Sequence, residues 1–366
     1  MIDGDVLVVG GAGFVGSNVV HALLDGGARR VCIVDNLLSA EPENVPDDSR
    51  VDFLQGSIAD DRILDQLDDV WDVVFHLATY HGNQSSIANP LEDHENNLIT
   101  TLKLFERATD WSRLQKLVYA ASGCTLAEHT YGDAEATQED GPVRLDLDSP
   151  YQISKVVGEF YSVYYHQRHG LPTVRARFQN IYGPREILGA GRWRGTPATV
   201  WRNVVPTFVY RALKGMPLQL DNGGAATRDF VYAGDVVEGL LLCAERGKPG
   251  DVYNLASGVE TSIRALAETI LRLSSSASKL ELGPPRDWDR SGHRFGSTAK
   301  AERELGFVAG TELEAGLRRT IDWMRAHEPL IDSCIDRHAH ELSRSLEALQ
   351  PDVSRLRSGT RAAKAI

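Results

Sequence analysis

The sequence has few cysteines, and those it has are scattered. The 366 residues include four, Cys32, Cys124, Cys243 and Cys334, with no Cys-x-x-Cys pair among them. A disulfide framework or a structural zinc site requires paired or closely spaced cysteines. We therefore expect neither of these, no bound metal, and a protein that works in a reducing compartment.

Long apolar runs and an excess of positive charge are missing as well. No stretch reaches the roughly 18 apolar residues of a membrane-spanning helix. The first predicted strand begins at Val6, too early for a signal peptide to precede it. The formal net charge is −12 at pH 7, and a negative surface repels nucleic acids and anionic lipids. These absences predict a cytoplasmic protein without nucleic-acid or membrane partners.

What is present indicates an α/β protein. Hydrophobic residues make up 42% of the chain and charged residues 25%, as in a typical soluble globular protein. Up to about residue 177, apolar strands alternate with helices, the pattern of a parallel sheet with helical crossovers. The strands predicted there are Val6–Val9, Arg30–Val34, Val51–Gln55, Asp72–His76, Lys116–Ala121 and Thr173–Arg177, and the helices are Ser17–Asp25, Asp60–Gln66, Leu91–Thr109 and Tyr151–His169. We expect a Rossmann-like, doubly wound parallel sheet with a smaller C-terminal substrate-binding domain.

The strict alternation ends after Arg185. Residues Ile187–Asn203 are rich in glycine and are predicted to form a loop. Further elements are predicted at Val204–Lys214, Pro217–Leu220, Gly234–Arg246, Val252–Leu255, Ile263–Leu273 and Leu313–Ala326. We expect a first domain over residues 1–185 and a second, mainly substrate-binding domain over residues 186–330, with some return to the sheet. Residues 331–366 are expected to form one helix beyond Pro329 and a flexible tail.

The most informative stretch lies just inside the N-terminus. The apolar strand Val6–Val9 leads into three glycines spaced three apart, Gly10, Gly13 and Gly16, and a helix follows. A strand, a tight turn and a helix N-terminus together can hold a pyrophosphate group. Gly10 allows the turn, Gly13 lets the backbone approach phosphate, and Gly16 lets helix and strand pack closely. The pattern predicts dinucleotide binding.

A second strand supplies the residue that selects the dinucleotide. It ends at Asp35, 19 residues after Gly16, where a carboxylate can accept hydrogen bonds from the ribose hydroxyls. No arginine stands beside Asp35, and its negative charge would repel a 2′-phosphate. The predicted cofactor is therefore NAD rather than NADP, and residues 1–185 are predicted to be the NAD-binding domain.

A tyrosine and a lysine four residues apart are the candidate catalytic pair. Tyr151 and Lys155 open a predicted helix, so their side chains share one helical face. A neighbouring ammonium and a bound nicotinamide cation both favour the phenolate, which takes a proton from a substrate hydroxyl while hydride leaves for NAD⁺. Ser122, at the end of a strand, would share that proton. The alternative is an amphipathic helix with a surface tyrosine and lysine.

Several ordered motifs resemble those of extended short-chain dehydrogenase/reductases, specifically the NAD-dependent nucleotide-sugar epimerase/dehydratase family. The resemblance spans roughly Val6 to Arg325. The motifs are Gly10-Gly-Ala-Gly-Phe-Val-Gly16, Asp35-Asn36-Leu37, Gly56-Ser-Ile58, His76-Leu-Ala78, Ser86-Ile-Ala-Asn-Pro90 with Asn97, Tyr151 to Lys155, Arg177-Phe-Gln-Asn180-Ile-Tyr-Gly-Pro184 and Thr227-Arg228-Asp-Phe-Val-Tyr232.

The resemblance implies roles for further residues. Beside the glycines, Asp35, Tyr151 and Lys155, the implied cofactor-binding residues are Phe14, Val15, Asn36, Ser57, Ile58, Leu77, Ala78 and Asn97. The implied residues for a nucleoside-diphosphate sugar are Gln84, Ser122, Asn180, Arg185, Arg228, Arg286 and Asp289. Guanidinium groups bind phosphate in a bidentate way. An acidic protein needs such local cations to hold an anionic substrate.

The segment around Gln84 is expected to line the sugar pocket. Glucuronate-processing relatives often have arginine at the place of Gln84. The absence of an arginine here argues against a uronic acid as the substrate sugar. His81, in the same segment, is a candidate third acid or base, with hydrogen bonding in the pocket wall as the simpler role. His76 is expected to be structural. Ser57 stands where the family usually has aspartate.

Departures from the family pattern concern the residues after Ser122. The family's 4,6-dehydratases usually carry an Asp-Glu pair there, whereas this chain has Gly123-Cys124. Cys124 matches a cysteine that acts as acid and base in GDP-mannose 3,5-epimerases, and a thiol can move the protons beside a ketone. It would equally fit as a small buried residue. The loop after Tyr-Gly-Pro offers Arg192 and Arg194 where 3,5-epimerases use a lysine.

Three functions follow from these residues. The leading prediction is an NAD-dependent nucleotide-sugar epimerase that acts through a transient 4-keto sugar, most simply a 4-epimerase. The alternative is a 3,5-epimerase or dehydratase in which Cys124 transfers protons at C3 or C5. The third is a non-catalytic NAD-binding sensor. The resemblance also implies a homodimer that pairs through the helices Leu91–Thr109 and Tyr151–His169.

Overall fold

The structure is a computed structural model that describes residues 2–123, 132–143, 145–286, 289 and 292–349. Within residues 346–349 only the backbone is described. Cys124 and the residues from 350 onward, which include the predicted tail, lie outside the described residues, so the predictions made for them remain predictions.

Seven parallel strands form the large sheet in the described part of the chain. They are β1 (Asp5–Val9), β2 (Arg30–Asp35), β3 (Val51–Gln55), β4 (Val73–His76), β5 (Lys116–Ser122), β6 (Thr173–Phe178) and β10 (Val252–Leu255). Their order in space is β10-β6-β5-β4-β1-β2-β3. Helices connect most of them, so the doubly wound α/β fold predicted from the alternating pattern is confirmed.

The helices cover both faces of this sheet and build the second half of the molecule. They are α1 (Phe14–Asp25), α2 (Asp61–Leu64), α3 (Asn83–Ala88), α4 (Pro90–His94), α5 (Thr100–Ala108), α6 (Pro150–His169), α7 (Val204–Leu213), α8 (Ala233–Arg246), α9 (Ile263–Ser274), α10 (Ala299–Leu305), α11 (Leu313–Ala326), α12 (Glu328–Asp336) and α13 (Ala339–Leu349). Alternate strand residues point to opposite faces. Val6 and Val8 therefore belong to the core on one side of the sheet, and Leu7 and Val9 to the core on the other.

The second half contains two smaller sheets. A three-stranded sheet has the order β11-β9-β7, with β9 (Thr227–Tyr232) between β11 (Glu260–Ser262) and β7 (Asn180–Tyr182). A two-stranded sheet pairs β8 (Leu218–Asp221) with β12 (Leu280–Gly283). A separate apolar core connects these sheets with α7, α9, α11 and α12. The division of the chain at residues 185 and 330 stays a prediction.

Several elements differ from their predicted bounds. Helix α1 begins at Phe14 rather than Ser17, because the chain enters helical geometry directly after Gly13 at the N-cap. The predicted helix over residues 91–109 contains a π-helical turn, Glu95–Ile99, between α4 and α5. Two helices, α12 and α13, stand beyond residue 327, where one was predicted.

The strands β7, β9, β11 and β12 and the helices α3 and α10 were not predicted as elements. These strands belong to the two small sheets. Their hydrogen bonds come from partners that are distant in sequence, and the local pattern of residues indicated them poorly. The predicted loop Ile187–Asn203 does lack regular elements apart from a short 3₁₀ turn at Pro197–Thr199.

Helix α6 is anchored to the sheet by its buried face. The Ser149 hydroxyl caps its first turn by accepting from the Gln152 N–H, and Gly170 ends the helix in the left-handed conformation. Glu159 accepts two hydrogen bonds from Arg177 of β6, at 2.8 and 2.9 Å. Gly158 lies against the buried Tyr119 of β5. These contacts determine where the first turn of α6 stands.

Substituting Gly158 with alanine is expected to destabilise the fold. A Cβ atom there would lie 2.0 Å from the Tyr119 hydroxyl oxygen. The overlap should cost about 1–3 kcal/mol and outweigh the gain of about 1 kcal/mol in helix propensity. Chemical denaturation should show a lower free energy of unfolding for G158A. Gln167→Ala, at an exposed position of the same helix, serves as the control and should leave it nearly unchanged. Equal stability of the two variants would contradict the close packing.

Candidate active site

A cavity opens at the carboxyl edge of the large sheet, between β1 and β4. The strand order reverses direction at this place, and doubly wound sheets bind their ligands in such a crevice. Fourteen of the residues predicted to bind the cofactor or to act in catalysis line this cavity. They are Gly10, Gly13, Phe14, Val15, Gly16, Asp35, Asn36, Ser57, Ile58, Leu77, Ala78, Ser122, Tyr151 and Lys155.

The turn between β1 and α1 has little room for side chains. Gly10 has a φ of +87°, and a Cβ on it would lie 2.5 Å from the Ala78 nitrogen after β4. A Cβ on Gly16 would lie 2.0 Å from the Gly10 carbonyl oxygen. Only glycine therefore lets β1, β4 and α1 approach each other this closely.

Gly13 differs, because a Cβ on it would meet the Gly10 carbonyl oxygen at 3.2 Å and otherwise face open space among the described residues. It is the N-cap of α1 and has no side chain to cap the helix. The first N–H groups of a helix lack intrahelical acceptors and carry partial positive charge. The bare backbone beside the cavity thus fits the pyrophosphate of a dinucleotide.

Asp35 stands at the end of β2 with its carboxylate held by the backbone. Its oxygens accept hydrogen bonds from the Ala12 N–H at 3.1 Å and the Leu37 N–H at 2.9 Å. Burial raises the pKa of Asp35, and the backbone hydrogen bonds oppose that rise. The carboxylate lines the cavity on the same side as Asn36 and Ser39, a position that fits the ribose diol of NAD.

Tyr151 and Lys155 face the cavity from the first turn of α6. The Lys155 ammonium donates to the Ala120 carbonyl oxygen of β5 at 3.0 Å, and it lies 5.9 Å from the centroid of the Tyr151 ring. Ser122 ends β5 at the same cavity. The structure therefore brings together the three catalytic candidates that it describes, a phenol, an ammonium and a hydroxyl group.

Polar contacts behind this trio position it. The Tyr151 N–H donates to the Ser86 hydroxyl at 3.1 Å, which joins α6 to α3. Asp93 of α4 is buried and accepts from the Ser154 hydroxyl and from the Asn97 amide. Burial raises the pKa of Asp93, although these hydrogen bonds and the Lys155 charge oppose the rise. The network lies on the side of the π-helical turn, a distortion common near functional sites.

Asn97 does not line the cavity, although it was expected to bind the cofactor. Its side-chain oxygen accepts from the Thr79 hydroxyl at 3.0 Å and from the Tyr80 N–H at 2.7 Å. The π-helical turn instead presents Asn96, and α5 presents Thr100, to the cavity. We propose that Asn97 holds the segment after β4 in place rather than touching NAD.

The two histidines of this region have different surroundings. His81 lines the cavity, with its ring centroid 6.0 Å from that of Tyr151. Burial lowers the pKa of His81 to about 3, so its imidazole is neutral near pH 7. His76 lies in β4, where its Nε2 atom is 2.9 Å from the Thr101 hydroxyl, and burial lowers its pKa also to about 3.

The residues predicted to bind the substrate are dispersed. Asn180 lines the cavity, whereas Gln84 and Arg185 do not. Arg228 donates to Asp289 at 2.8 Å, and Asp289 also accepts from Arg294 at 3.1 Å. Arg286 is exposed and donates to Asp221 at 2.5 Å. Two of the predicted substrate residues, Arg228 and Asp289, thus form an ion pair with each other, outside the cavity lining.

Sequence reasoning missed three cavity residues, Glu186, Arg202 and Asn203. Asn203 donates to one oxygen of the buried Glu186, while the other oxygen has no hydrogen-bond partner among the described residues. Burial raises the pKa of Glu186 to about 7. Arg202 donates to the Ile187 carbonyl oxygen at 2.9 Å. The sequence did contain a signal for these three residues, since they are charged or polar and stand at the two ends of a glycine-rich loop. Arg194, inside that loop, is buried away from the cavity.

Comparison with known proteins agrees with this geometry. The sequence matches the NAD dependent epimerase/dehydratase family over residues 6–256. The chain belongs to this family. It is therefore an NAD-dependent enzyme. The cofactor predicted from the glycine turn and Asp35 and the resemblance noted from the motifs are both confirmed.

Individual relatives cover nearly the whole chain. The Bordetella bronchiseptica enzyme WbmF, solved in complex with NAD⁺ and UDP, is 56% identical, with a TM-score of 0.84 over 94% of this chain and 98% of that one. A UDP-glucose 4-epimerase of Mycolicibacterium smegmatis is 30% identical over 87% of this chain and 98% of its own length. A dTDP-glucose 4,6-dehydratase of Streptomyces antibioticus is 31% identical over 88% of this chain and 92% of its own length.

None of the helices in the described part of the chain combines the length and the apolar character needed to cross a membrane.

Gly13→Ala should weaken NAD binding without disturbing the fold. Among the described residues the added methyl group would meet the Gly10 carbonyl oxygen at 3.2 Å, which a small shift relieves, and it would occupy the approach of the pyrophosphate. We expect the Kd for NAD to rise about tenfold or more, which corresponds to a loss of about 1.4 kcal/mol or more of binding free energy. The Kd is measured by calorimetry on protein stripped of cofactor. Gly310→Ala, with open space around its Cβ among the described residues, is the matched control. Unchanged affinity in G13A would show that the pyrophosphate lies elsewhere.

Proposed function

We propose that this protein is a nucleotide-sugar epimerase that inverts C4 of a UDP-linked sugar. The observation that carries the proposal is that Tyr151, Lys155 and Ser122 share one cavity with the glycine turn and Asp35. A cofactor whose ribose binds Asp35 and whose pyrophosphate lies at α1 would extend toward α6, so its nicotinamide would reach Tyr151. The membership of the chain in an NAD-dependent family supports this placement.

In the proposed mechanism Tyr151 is the base that removes the proton of the C4 hydroxyl. The Lys155 ammonium stabilises the phenolate, since the opposite charge favours the ionised form of a phenol. Its bond to the Ala120 carbonyl oxygen holds that ammonium in place. The Ser122 hydroxyl hydrogen-bonds the C4 oxygen as its proton leaves. A bound NAD would supply reversible hydride transfer at C4, and inversion would follow when the 4-keto sugar turns its other face toward the cofactor. Tyr151 then gives the proton back to the C4 oxygen, which restores the hydroxyl with inverted configuration.

The nucleotide part is proposed to be uridine diphosphate. WbmF, 56% identical, is solved with NAD⁺ and UDP, and the 30% identical relative is a UDP-glucose 4-epimerase. In this chain Asn180 and Asn203 line the cavity from β7 and from the end of the glycine-rich loop. Their amide N–H groups can donate to a diphosphate. Arg228 and Arg294 lie together beside Asp289, outside the cavity lining, and are the cations proposed to bind the nucleotide once it is present.

The second candidate function is proton transfer at C3 or C5, as in a 3,5-epimerase or dehydratase. One observation favours it, the 31% identity to a dTDP-glucose 4,6-dehydratase, although Gly123-Cys124 stands here in place of the Asp-Glu pair usual in such dehydratases. In this chain Cys124 follows two residues after Ser122, which places a thiol close in sequence to the proposed C4 site. A 4-keto intermediate acidifies the neighbouring C–H bonds, and a thiolate is a suitable base for them.

Tyr151→Phe should abolish turnover and keep the cofactor. Loss of a general acid–base group lowers kcat about 10²–10⁴-fold, while the phenyl ring preserves the wall of the cavity. Epimerisation of UDP-sugars, followed by proton NMR, should fall by that factor, and the Kd for NAD should stay close to that of the parent. Tyr164→Phe, at an exposed tyrosine of the same helix, is the control. Full activity of Y151F would rule out the proposed base.

Deuterium incorporation distinguishes the two candidate functions. In D₂O a C4 inversion returns the same hydride, so the new epimer should carry no carbon-bound deuterium. Proton transfer at C3 or C5 would instead introduce deuterium there. In the first case Cys124→Ser should leave kcat within about threefold, and in the second it should remove the exchange. Mass spectrometry of the product counts the deuterium atoms, and proton NMR locates them. Deuterium at C3 or C5 would overturn simple C4 inversion.

We propose in addition that the protein forms a homodimer in the cytoplasm. The outer side of α6 exposes Ile153, Phe160 and Tyr164, and the neighbouring α3–α4 region exposes Ile87 and Leu91. Exposed apolar side chains grouped on neighbouring helices are typical of an interface. The cytoplasmic location is supported by the free, buried cysteines of the described part of the chain.

Phe160→Glu should convert the dimer to a monomer. A charge at the centre of an apolar interface costs several kcal/mol in each subunit when it is buried without a partner. Light scattering after gel filtration should show a mass near that of one chain. Val308→Glu is the control, since Val308 and Phe160 are both 58% exposed. The proposal fails if the parent protein is a monomer or if F160E retains the mass of a dimer.

A further inference from the structure

The segment after β2 forms one wall of the cofactor cavity. This ribose segment, residues 36–45, follows directly on Asp35, and its Asn36, Leu38 and Ser39 line the cavity. It contains a short 3₁₀ turn but no long helix or strand. Its position therefore depends on contacts with other parts of the chain.

The glycine-rich loop, residues 187–203, supplies the first set of contacts. The Arg192 N–H donates to the Leu38 carbonyl oxygen at 3.0 Å, and the Arg202 guanidinium donates to the Ser39 carbonyl oxygen at 3.1 Å. A Cβ on Gly191, whose φ is +81°, would lie 2.3 Å from the Leu38 carbonyl oxygen. The glycine at 191 thus permits direct backbone contact between the loop and the ribose segment.

Glu41 joins the ribose segment to two other parts of the chain. It is 5% exposed and accepts a hydrogen bond from the Gly191 N–H at 2.8 Å. Its two oxygens also accept from the Arg337 guanidinium, at 2.7 and 3.1 Å. Burial raises the pKa of Glu41, but the hydrogen bonds from Arg337 and Gly191 outweigh it and keep the pKa below its usual value. The carboxylate is thus ionised near neutral pH and bound in a bidentate way.

The C-terminal helices hold the loop from its other side. His338, in the turn between α12 and α13, is buried and lies with its Nε2 atom 3.0 Å from the Gly189 carbonyl oxygen. Ile331 and Cys334 of α12 belong to the same apolar core as Leu188 of the loop. Loop, helices and ribose segment are therefore packed into one unit, with Glu41 at its centre.

We propose that the glycine-rich loop and the helices α12–α13 act as a clasp that retains NAD. Closed by the Glu41–Arg337 pair, the clasp holds the ribose segment against the adenosine end of the cofactor. Release of NAD requires this segment to move away from Asp35, so the pair sets the release rate. Retention suits a reaction in which the hydride returns to the substrate and the cofactor is regenerated. The proposal rests on NAD as the cofactor and is independent of which sugar is converted.

The test compares NAD release from purified, NAD-loaded full-length protein and from Arg337→Met. Methionine keeps much of the apolar length of the side chain but removes the guanidinium. We expect NAD to leave R337M at least about fivefold faster, the lower end of typical coupling between sites. Release is followed by absorbance after rapid desalting at successive times. The rise in Tm on adding NAD should also be smaller in R337M, because ligand stabilisation falls with affinity.

Arg272→Met is the matched control. It removes the guanidinium of an exposed ion pair with Glu314, on helices α9 and α11, and should leave both NAD release and the NAD-dependent shift in Tm as in the parent. Arg337→Lys preserves a cation at the clasp and should restore part of the retention. Such a rescue separates the role of the charge pair from general packing.

Glu41→Gln provides a second route if R337M does not fold. Glutamine still accepts from the Gly191 N–H but loses the charge, so it should release NAD faster while the protein stays folded. The proposal is overturned if NAD leaves a folded R337M or E41Q as slowly as the parent. It is also overturned if the variants lower the Tm of the cofactor-free protein while the NAD-dependent shift in Tm is unchanged.

Discussion

The buried ion pair between Glu159 and Arg177 is the interaction on which the geometry of the site depends. Both side chains are almost fully shielded from solvent, and Arg177 also donates to the Glu139 carbonyl oxygen at 2.8 Å. Separating two buried charges would leave each without water or a counter-ion, which strongly destabilises the folded state. The pair therefore fixes α6 to β6. Four residues earlier in the helix, Lys155 is bonded to β5, so the phenol of Tyr151 is aligned with the strand ends.

A second constraint comes from the sheet itself. Parallel strands present their carboxyl ends at one edge, and the reversal of strand order between β1 and β4 leaves a gap there. Gly10 allows β1 and the end of β4 to approach within a distance that no side chain would permit. Cofactor residues from β1, β2 and β4 thus meet the catalytic candidates from β5 and α6 in one cavity. Neither group forms a site alone.

Much of the fold and of the cavity was predictable, because it depends on local patterns of residues. Strand and helix periodicity indicated the large sheet, since alternation of apolar residues is a property of a few neighbouring positions. The spacing of Gly10, Gly13 and Gly16 indicated the turn, and the spacing of Tyr151 and Lys155 indicated a shared helical face. The short strands β7, β9, β11 and β12 were missed, because their stability comes from pairing with distant partners rather than from periodicity.

The sequence by itself thus determined the fold class, the family and the cofactor, because each of these rests on short local motifs that can be recognised one by one along the chain. The tertiary structure decided which polar groups face the cavity. It placed Glu186, Arg202 and Asn203 there, and it engaged Asn97 and Arg228 with other protein groups instead. It also connected Glu41 with Arg337, which are 296 positions apart. Such pairings depend on how distant elements pack, and no local pattern of residues carries that information.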